Sequence, residues 1–465
     1  MAAFDYDVII LGAGPAGESA ALNAVKHNKT AAIIDDRPEV GGACTHKGTI
    51  PSKALRGGVM TLMRYHSNPI IQASELSAQF TFPRLLSKVA DVIDKQVRMR
   101  SKFYSRNNIH HICGSASFID ANSIRVKLSD ETFETLTAKT IIVATGSHPF
   151  RPPGIDFNHP RAYDSDTILD MRHTPSKLVI YGAGVIGCEY ASIFAGLGIK
   201  VDLINGRGRL LEFLDDEISD ALSYHLRSIG VVVRHNEVFA HADLSDDGVT
   251  VHLQSGKRIR GAALLWCNGR TGNTSRLALE NIGLSADARG NLDVDHSYQT
   301  AIENIYAVGD VIGWPSLASA AYNQGRAASS AALGLEHGKY VDDVPTGIYT
   351  IPEISSVGKT ERELTEACVP YEVGRAFFKD TARGQISGAD SGVLKILFHI
   401  DTLEILGVHC FGREATEIIH IGQAIMKQPG EGNTINYFLT NTFNYPTMAE
   451  AYRIAALNGV NRLAN

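Results

Sequence analysis

The chain has 465 residues, enough for about three domains, and its 44% hydrophobic and 20% charged content is typical of a globular protein. The net charge of -6, without any block of like charge, argues against nucleic acid as a partner. The absence of any apolar run of about 18 residues argues against a membrane partner.

The N-terminal segment MAAFDYDVIILGAGPAG predicts a buried β-strand that turns into a helix. Acidic residues precede its apolar run and glycines interrupt it, which is not the pattern of a signal peptide. Gly12, Gly14 and Gly17 have the GxGxxG spacing, which allows a tight turn and a close approach of the backbone to a pyrophosphate. The helix N-terminus would add unpaired N–H groups and a partial positive charge. We therefore predict a dinucleotide site here.

Asp35 ends the next predicted strand, TAAIID, at about the distance from the glycines at which a carboxylate binds a ribose hydroxyl. We predict that Asp35 belongs to the same dinucleotide site. The alternative is that it is a solvated turn residue.

Cys44 lies in the segment GGACTHKGTIPSKAL, and Thr49 follows where a second thiol could close a small redox disulfide. The six cysteines of the chain are far apart, and no two of them form a CxxC pair. Such spacing indicates reduced thiols in a cytoplasmic protein and does not favour zinc. Glu417 and His420 form a single ExxH pair, which is too little for a two-metal site. We therefore predict no metal.

A second strand–glycine–helix pattern occurs in KLVIYGAGVIGCEYASIFAG, with Gly182, Gly184 and Gly187. A lone GxGxxG is weak evidence, because glycine-rich turns are common. Here, however, each copy follows an apolar strand and begins a helix. The repeat therefore predicts two different dinucleotide sites in one chain.

The strand after the second glycine turn ends at Asn205 rather than at an acid, and Arg207 and Arg209 follow. A carboxylate at that position would repel a 2′-phosphate and favour NAD, whereas arginine favours NADP. A neutral Asn205 beside arginines is predicted to accept both nucleotides. The alternative is that both arginines are solvent-exposed loop residues without a ligand, and this alternative has more weight for Arg209 than for Arg207.

Asp310 follows the apolar run in TAIENIYAVGDV, where a carboxylate could bind the polyol chain of a flavin. After two GAGxxG units, it predicts that the first site binds FAD and the second a nicotinamide nucleotide. Gly146, in ATG, and Gly269, in GRTGNT, are interpreted as crossings between the two nucleotide-binding domains. Ordinary glycine turns are the alternative for both.

These motifs, in this order, resemble the flavoprotein disulfide reductases, which include glutathione reductase, lipoamide dehydrogenase and mercuric reductase. The resemblance covers essentially the whole chain. It implies an α/β fold with two Rossmann-like dinucleotide-binding domains and a C-terminal α+β dimerisation domain, in a homodimer or larger homo-oligomer. The implied bounds are 1–149 and 271–345 for the FAD-binding domain, 150–270 for the NAD(P)-binding domain, and 346–465 for the dimerisation domain.

Two substitutions depart from the family's pattern, and both concern thiol–disulfide exchange. The family's loop GG-x-C-x4-C-x-PSK keeps Cys44 here but has Thr49 in place of the flavin-facing cysteine, and a hydroxyl cannot form a disulfide. Tyr445, in FNYPTMAEAY, stands where the family has a histidine that protonates the departing thiolate across the dimer interface. An unperturbed phenol, with a pKa of about 10, is a poor base at neutral pH.

The remaining machinery predicts an enzyme that transfers hydride reversibly between NADPH and NAD+ through bound FAD, by a ping-pong route without a redox-active disulfide. The alternatives left open are an NAD(P)H-dependent diaphorase or quinone reductase, an oxidase that uses oxygen, and a flavin-bound sensor without turnover. The C-terminal segment ALNGVNRLAN has no vicinal cysteines, which disfavours mercuric reductase.

The resemblance assigns catalytic roles to Lys53, of the PSK motif, and to Glu189, on the helix after the second glycine turn. They correspond to the family's ion pair beneath the flavin N5 edge, where the lysine stabilises negative charge and the glutamate lines the nicotinamide pocket. A solvated lysine and a helix-surface glutamate are the alternative. Cys44 is predicted to be a passive buried thiol, and Thr49 to hydrogen-bond locally or to the flavin. Tyr445 is predicted to fill space over the isoalloxazine of the partner subunit.

Overall fold

The computed structural model describes residues 4–67, 81–336, 341, 344–389 and 391–463. Within these ranges the β-strands are, in chain order, β1 Tyr6–Leu11, β2 Ala31–Asp35, β3 His110–Asp120, β4 Ser123–Leu128, β5 Phe133–Val143, β6 Ser147–Pro149, β7 Ala162–Asp164, β8 Lys177–Tyr181, β9 Lys200–Ile204, β10 Val232–Arg234, β11 Phe239–Ser245, β12 Gly248–Leu253, β13 Arg258–Gly261, β14 Ala263–Trp266, β15 Arg270–Gly272, β16 Ile305–Ala307, β17 Thr346–Ile348, β18 Glu353–Gly358, β19 Tyr371–Phe377, β20 Val393–His399 and β21 Ile405–Gly412.

The α-helices of the same described ranges are, in chain order, α1 Pro15–Lys26, α2 Gly42–His46, α3 Thr49–Ser67, α4 Phe82–Arg106, α5 Val185–Gly196, α6 Asp216–Ser228, α7 Ala318–Ala332, α8 Glu361–Glu366, α9 Ala382–Ser387, α10 Ala415–Met426, α11 Asn436–Thr440 and α12 Glu450–Leu463. In the part of the chain that the structure describes, none of these helices has the length and apolar character required to cross a membrane.

The first unit is a parallel sheet in the spatial order β3-β2-β1-β5-β16. Its central strand, YDVIIL, is an apolar run that is buried on both faces, as expected for the middle of a parallel sheet. Alanine-rich helices α1 and α7 pack against one face. β3 and β5 continue beyond the sheet to form an antiparallel meander with β4, which covers the other face.

The second unit repeats this plan with a parallel sheet in the order β10-β9-β8-β14-β7. Helices α5 and α6 cover one face, and the antiparallel sheet β11-β12-β13 covers the other. A two-stranded ribbon of β6 and β15 carries the chain between the two units. Because parallel strands end at the same edge of a sheet, each unit presents its glycine turn at its carboxyl edge.

The third unit is an antiparallel sheet in the order β17-β18-β21-β20-β19, against which α10 and α12 pack. It has the α+β layout predicted for the C-terminal domain. The predicted fold class, two Rossmann-like units followed by an α+β unit, is confirmed.

Candidate functional site

The three glycines of the first turn have different steric requirements. Gly12 has a φ of 113°, which favours glycine, and a Cβ on Gly17 would lie 1.9 Å from the Gly12 carbonyl oxygen. A Cβ on Gly14 would meet nothing within 4 Å. Gly12 and Gly17 are therefore required by the turn and by helix packing, whereas Gly14 leaves open space at the N-terminus of α1. This open cradle fits a pyrophosphate group.

The second turn has the same geometry. Gly182 has a φ of 102°, and a Cβ on Gly187 would lie 1.9 Å from the Gly182 carbonyl oxygen. Gly184, at the N-terminus of α5, is exposed, and a Cβ added there would again meet nothing within 4 Å. The structure thus contains two equivalent cradles, one in each parallel unit.

Asp35 lies at the end of β2, where the sequence predicts it. Its Oδ2 atom accepts a hydrogen bond of 2.7 Å from the Ala13 N–H, and its Oδ1 atom accepts one of 3.0 Å from the Arg37 N–H. The carboxylate is therefore fixed against the first glycine turn. Its half-buried position leaves it accessible to a ribose hydroxyl at that turn.

The β6–β15 ribbon brings Gly146, Gly269 and Asp310 into one region. Asp310 lies in the 3₁₀ turn after β16, and its Oδ2 atom accepts a 2.9 Å hydrogen bond from the Ser147 hydroxyl. Arg270 donates to the same hydroxyl at 2.8 Å and to the Ser147 carbonyl at 2.7 Å. Sequence analysis missed Ser147 and Arg270, although each directly follows one of the two predicted crossing glycines.

Cys44 and Thr49 lie close together, on α2 and at the start of α3. Cys44 is half-buried and is a free thiol, and Thr49 is exposed. Burial raises the pKa of the Cys44 thiol, and a hydrogen bond with the Thr49 side chain acts in the opposite direction without reversing the shift. The thiol is thus kept protonated at neutral pH, which does not favour nucleophilic chemistry.

Lys53 and Glu189 form an ion pair between α3 of the first unit and α5 of the second. Lys53 Nζ lies 2.7 Å from Glu189 Oε2, and the side chains are 26% and 5% exposed. The other carboxylate oxygen, Oε1, accepts a 2.8 Å hydrogen bond from the Tyr349 N–H. Lys53 Nζ also lies 4.9 Å from the centre of the Tyr349 ring. The Lys53 side chain is thus partly exposed where the two units meet, and a cation there can stabilise developing negative charge.

The segment that begins with Tyr349 connects the third unit to both helices of this ion pair. Arg56, on α3, donates to the Thr350 carbonyl at 3.0 Å and pairs with Glu353 at 3.0 Å. Ser192, on α5, accepts a hydrogen bond from the Ile351 N–H at 3.0 Å. No local pattern in the sequence indicates these contacts, because each joins residues that are distant along the chain.

Tyr445 precedes α12 and is 71% exposed. Glu450, at the start of α12, has a buried Oε2 atom that lacks a hydrogen-bond partner within the described ranges. The predicted contact of Tyr445 with a flavin in the partner subunit stays a prediction, since it requires a second chain.

Asn205 directly follows β9, but its side chain is buried and directed into its own loop. Its amide nitrogen donates to the Arg209 carbonyl at 2.8 Å and contacts His235 Nδ1 at 3.1 Å, and its oxygen accepts from the Arg207 N–H at 3.2 Å. The Asn205 side chain therefore stabilises the loop that contains Arg207 and Arg209. The prediction that Asn205 helps the site to accept both NAD and NADP stays a prediction. The Arg207 side chain is 72% exposed and pairs with Glu212 at 3.3 Å, and its role in nucleotide binding stays a prediction.

Among the residues that the structure describes, two groups have the side-chain types and spacing of metal ligands. In the first, Asp215, Glu217 and Glu361 surround the ammonium of Lys395, which pairs with all three carboxylates and so occupies the place of a cation. In the second, His241, Asp243 and His252 lie on the outer β11-β12 sheet. The prediction that the protein needs no metal stays a prediction.

Comparisons with known proteins agree with this geometry. The chain matches the pyridine nucleotide-disulphide oxidoreductase family over residues 6–325 and the dimerisation domain of that family over residues 344–456. Relatives from Marinobacter nauticus and Azotobacter vinelandii, each named soluble pyridine nucleotide transhydrogenase, are 62% and 61% identical, with 100% of each chain covered.

Solved structures also match along nearly the whole chain. LpdA from Mycobacterium tuberculosis has a TM-score of 0.89 at 25% identity, with 97% of this chain and 98% of that chain covered. The HOCl-induced flavoprotein disulfide reductase RclA from Escherichia coli has a TM-score of 0.87 at 26% identity, with 97% and 99% covered. The family predicted from the sequence is confirmed: the chain belongs to the pyridine nucleotide-disulphide oxidoreductase family.

Proposed function

We propose that the protein is an FAD-dependent NAD(P)+ transhydrogenase that transfers hydride reversibly between NADPH and NAD+. Its cofactor is FAD, and NAD(H) and NADP(H) are its substrates. The relatives from Marinobacter and Azotobacter, which match the whole chain, are named for this activity. When bound, FAD supplies a redox centre that accepts hydride from one nucleotide and returns it to the next.

The observation that carries the proposal is the contact of Cys44 with the hydroxyl of Thr49, beside a complete Lys53–Glu189 ion pair. A thiol and a hydroxyl cannot be oxidised to a disulfide, so electrons have no sulfur relay to follow at this position. The ion pair and both glycine cradles are intact. The nucleotide cleft therefore serves as both the entry and the exit for hydride.

The first unit holds FAD and the second holds the nicotinamide nucleotide. Gly14 and Gly184 keep the two cradles open for pyrophosphates, with Gly12, Gly17, Gly182 and Gly187 fixing the turns. Asp35 binds the adenosine ribose of FAD and Asp310 its polyol chain, each held in place by the hydrogen bonds described above. Gly146 and Gly269 let the ribbon pass between the two sites.

Lys53 and Glu189 are the catalytic residues of this proposal. Lys53 holds a positive charge at the cleft, which favours the extra negative charge that hydride transfer brings there. Glu189, anchored by the Tyr349 N–H, fixes the ammonium and lines the nicotinamide side of the cleft. Cys44 and Thr49 fill space beside the flavin and form a hydrogen bond with each other. Tyr445 fills space over the isoalloxazine ring in the partner subunit.

The match to a dimerisation domain over residues 344–456 indicates a homo-oligomer. We extend this to a homodimer or a larger homo-oligomer in the cytoplasm. The proposed domain bounds are 1–149 with 271–345 for FAD, 150–270 for NAD(P), and 346–465 for dimerisation.

The decisive experiment mixes the FAD-loaded protein with NADPH and a thio-analogue of NAD+ under nitrogen. The expected result is catalytic formation of the reduced analogue, matched mole for mole by the loss of NADPH. Efficient reduction of lipoamide or glutathione disulfide would contradict the proposal. NADPH oxidation that requires oxygen or a quinone would also contradict the proposal, because that result is expected of a diaphorase, a quinone reductase or an oxidase. A flavin that NADPH does not bleach would instead indicate a sensor.

A further inference from the structure

A buried ion pair joins helices α1 and α4. Glu18, in the first turn of α1, and Arg100, on α4, have side chains that are 6% and 8% exposed, and Glu18 Oε1 lies 2.5 Å from Arg100 Nη1. Arg100 Nη1 also donates to the Tyr322 hydroxyl at 2.8 Å, and this hydroxyl donates to Glu18 Oε1 at 3.3 Å. Tyr322 lies on α7, so a closed ring of hydrogen bonds connects three helices. No local pattern in the sequence indicates this ring, because Glu18 and Tyr322 are 304 positions apart.

The Glu18–Arg100 pair keeps its charge although it is buried. Burial opposes the charge of Arg100, but the hydrogen bond and the charge of Glu18 outweigh burial and raise the pKa of the guanidinium. Desolvation offsets much of the attraction within a buried ion pair, so apolar residues of similar volume often stabilise a protein as well. Loss of one partner alone, however, leaves an uncompensated charge in a medium of low dielectric constant. The pair therefore points to a requirement for balanced charge at this place and not only for packing.

The three helices of this ring contact different parts of the predicted flavin site. Glu18 directly follows Gly17, which packs closely in the first glycine turn. Helix α7 contacts the 3₁₀ turn that contains Asp310, and α4 contacts α2, the helix of Cys44. The pair thus lies among the elements that form the first cradle, the polyol contact and the loop beside the flavin ring.

The charge of Arg100 acts on the Cys44 thiol. Burial raises the pKa of this thiol, and the Thr49 hydrogen bond and the Arg100 charge both act in the opposite direction. Two further charged groups act on the thiol, since Asp310 raises its pKa and Lys53 lowers it. Cys44 can therefore report a change in the charge balance beside the flavin.

The pair also has unused hydrogen-bonding capacity. Glu18 Oε2, Arg100 Nε and the Tyr104 hydroxyl are buried, and none of these atoms has a hydrogen-bond partner in the part of the chain that the structure describes. Burial and then the charge of Glu18 raise the pKa of Tyr104, so the phenol lies close to the carboxylate. Buried polar groups normally have partners. These atoms therefore fit a polar group bound against the first turn of α1, as a cofactor in the first cradle would be.

We propose that Glu18 and Arg100 act as a balanced charge pair which, held in place by Tyr322, sets the electrostatic potential at the flavin ring. They are positioning residues and take no part in hydride transfer themselves. The inference rests on the part of the proposed function that places FAD in the first unit. It adds a determinant of the flavin reduction potential that lies outside the Lys53–Glu189 pair.

The balance matters because hydride has to enter and leave at the same cleft. An unbalanced Arg100 would stabilise the negative charge that hydride brings to the site, so that hydride would be accepted readily and returned slowly. An unbalanced Glu18 would oppose that charge and hinder acceptance. With both charges present, neither direction is favoured, which suits reversible transfer between two nucleotides.

The first test measures the reduction potential of the FAD-loaded full chain by equilibration with a redox dye under nitrogen, without any nucleotide substrate. Glu18→Gln keeps the size of the side chain and a hydrogen-bonding oxygen but leaves the Arg100 charge unbalanced. The ratio of reduced to oxidised flavin at a fixed potential should rise on the order of tenfold, as expected for one charge at about 10 Å and an effective dielectric constant of about 20.

The double variant Glu18→Gln with Arg100→Met separates charge from packing. It removes both charges, so the flavin ratio should return to within about threefold of the wild type. A merely structural role predicts instead that the double variant departs further from the wild type than Glu18→Gln does.

The second test follows Cys44 and requires no bound FAD. The pH dependence of its alkylation by iodoacetamide should shift to lower pH in Glu18→Gln, because the unbalanced Arg100 charge favours the thiolate. The shift should disappear in the double variant, and the exposed Cys368 gives the reference rate. If Glu18→Gln does not fold, Arg100→Gln decides: its flavin ratio at about pH 8, where a carboxylate is ionised, should fall on the order of tenfold.

Asp202→Asn is the matched control. The Asp202 side chain is 2% exposed and pairs with Lys177 at 2.6 Å and with Arg234 at 2.7 Å, in the second unit. Its replacement also removes a buried, paired carboxylate, but it should leave the flavin ratio and the alkylation profile of Cys44 unchanged.

An unchanged flavin ratio in Glu18→Gln, or an equal change in Asp202→Asn, would overturn the inference. A double variant that does not return toward the wild type would also overturn it. The outcome is separable from the proposed function. Hydride transfer from NADPH to thio-NAD+ without any charge-dependent shift refutes the role of the pair alone, and the expected shifts in a protein without hydride transfer refute the transhydrogenase alone.

Discussion

Lys53 Nζ lies 2.7 Å from Glu189 Oε2, in a contact that joins the first helix after the Cys44 loop to the helix of the second glycine turn. The two residues are 136 positions apart, and the carboxylate is almost fully buried. The pair is therefore an ion pair that links the two nucleotide-binding units. The Tyr349 N–H fixes the carboxylate from the third unit as well.

Replacing Lys53 should impair hydride transfer more than cofactor binding. In Lys53→Ala, we expect the rate of flavin reduction by NADPH to fall on the order of 100-fold, as when a preorganised electrostatic donor is removed. The FAD content should stay near that of the wild type, because the two cradles are untouched. Stopped-flow absorbance measures the rate. The control is Lys139→Ala, which removes an exposed lysine paired with Asp7; a wild-type rate in Lys53→Ala would refute the assignment.

Cys44 should behave as a passive thiol. Because burial raises its pKa, the thiolate fraction is small at neutral pH and increases only as the pH rises above the ordinary range of the thiol. Alkylation of Cys44 by iodoacetamide, followed by peptide mass spectrometry, should thus be slow at about pH 7 and accelerate above about pH 9. The exposed Cys368 is the reference thiol in the same sample.

The same passive role predicts that Cys44→Ser retains transhydrogenation. Serine keeps the size and a hydrogen-bonding group beside Thr49, and the proposed route needs no sulfur. Steady-state turnover with NADPH and thio-NAD+ should remain within about twofold of the wild type. A complete loss of turnover with normal FAD content would show that the thiol takes part in the reaction.

The sequence predicted those features of the site that depend on local sterics. In the first turn, Gly12 has the positive φ of the tight turn, Gly14 leaves open space for a ligand, and Gly17 packs closely against the Gly12 carbonyl oxygen. The second turn has the same geometry. Contacts between distant segments were not predictable. The hydrogen bond from Tyr349 to Glu189 and the position of Arg362 beside the β9 loop depend on how the third unit packs.

Asn205 illustrates the limit of a local pattern. Its position after β9 was predicted, but the pattern does not specify the direction of the side chain. The structure turns the amide inward, where it bonds to Arg209 and His235. Buried polar groups require partners, and here the loop itself supplies them.

Alanine substitutions at the glycines should distinguish the position that folding requires from the positions that nucleotide binding requires. Gly17→Ala should destabilise the protein severely, because the new methyl group would lie 1.9 Å from a backbone oxygen that cannot move away cheaply. Gly14→Ala should fold normally but retain less FAD, since the methyl group enters open space at the cradle. Gly184→Ala is the matched control for the second cradle: FAD content should be normal and the KM for both nucleotides raised. Flavin absorbance per chain and thermal unfolding measure these outcomes; normal FAD content in Gly14→Ala would contradict the assignment of the first cradle.

Lys395 should be essential to stability at neutral pH and much less so in acid. Its side chain is 1% exposed and its ammonium pairs with Asp215, Glu217 and Glu361, so Lys395→Met should lower the free energy of unfolding by about 3–5 kcal/mol at about pH 7. Burial opposes ionisation of Asp215, but the charges of His409 and Lys395 outweigh it and hold its pKa below the usual value. The stability that this carboxylate contributes is complete above its unfolded pKa of about 4 and is lost as the pH falls through its folded pKa. Urea unfolding should therefore show a smaller difference between Lys395→Met and the wild type at about pH 3, whereas an equal difference at both pH values would contradict a charge-based role.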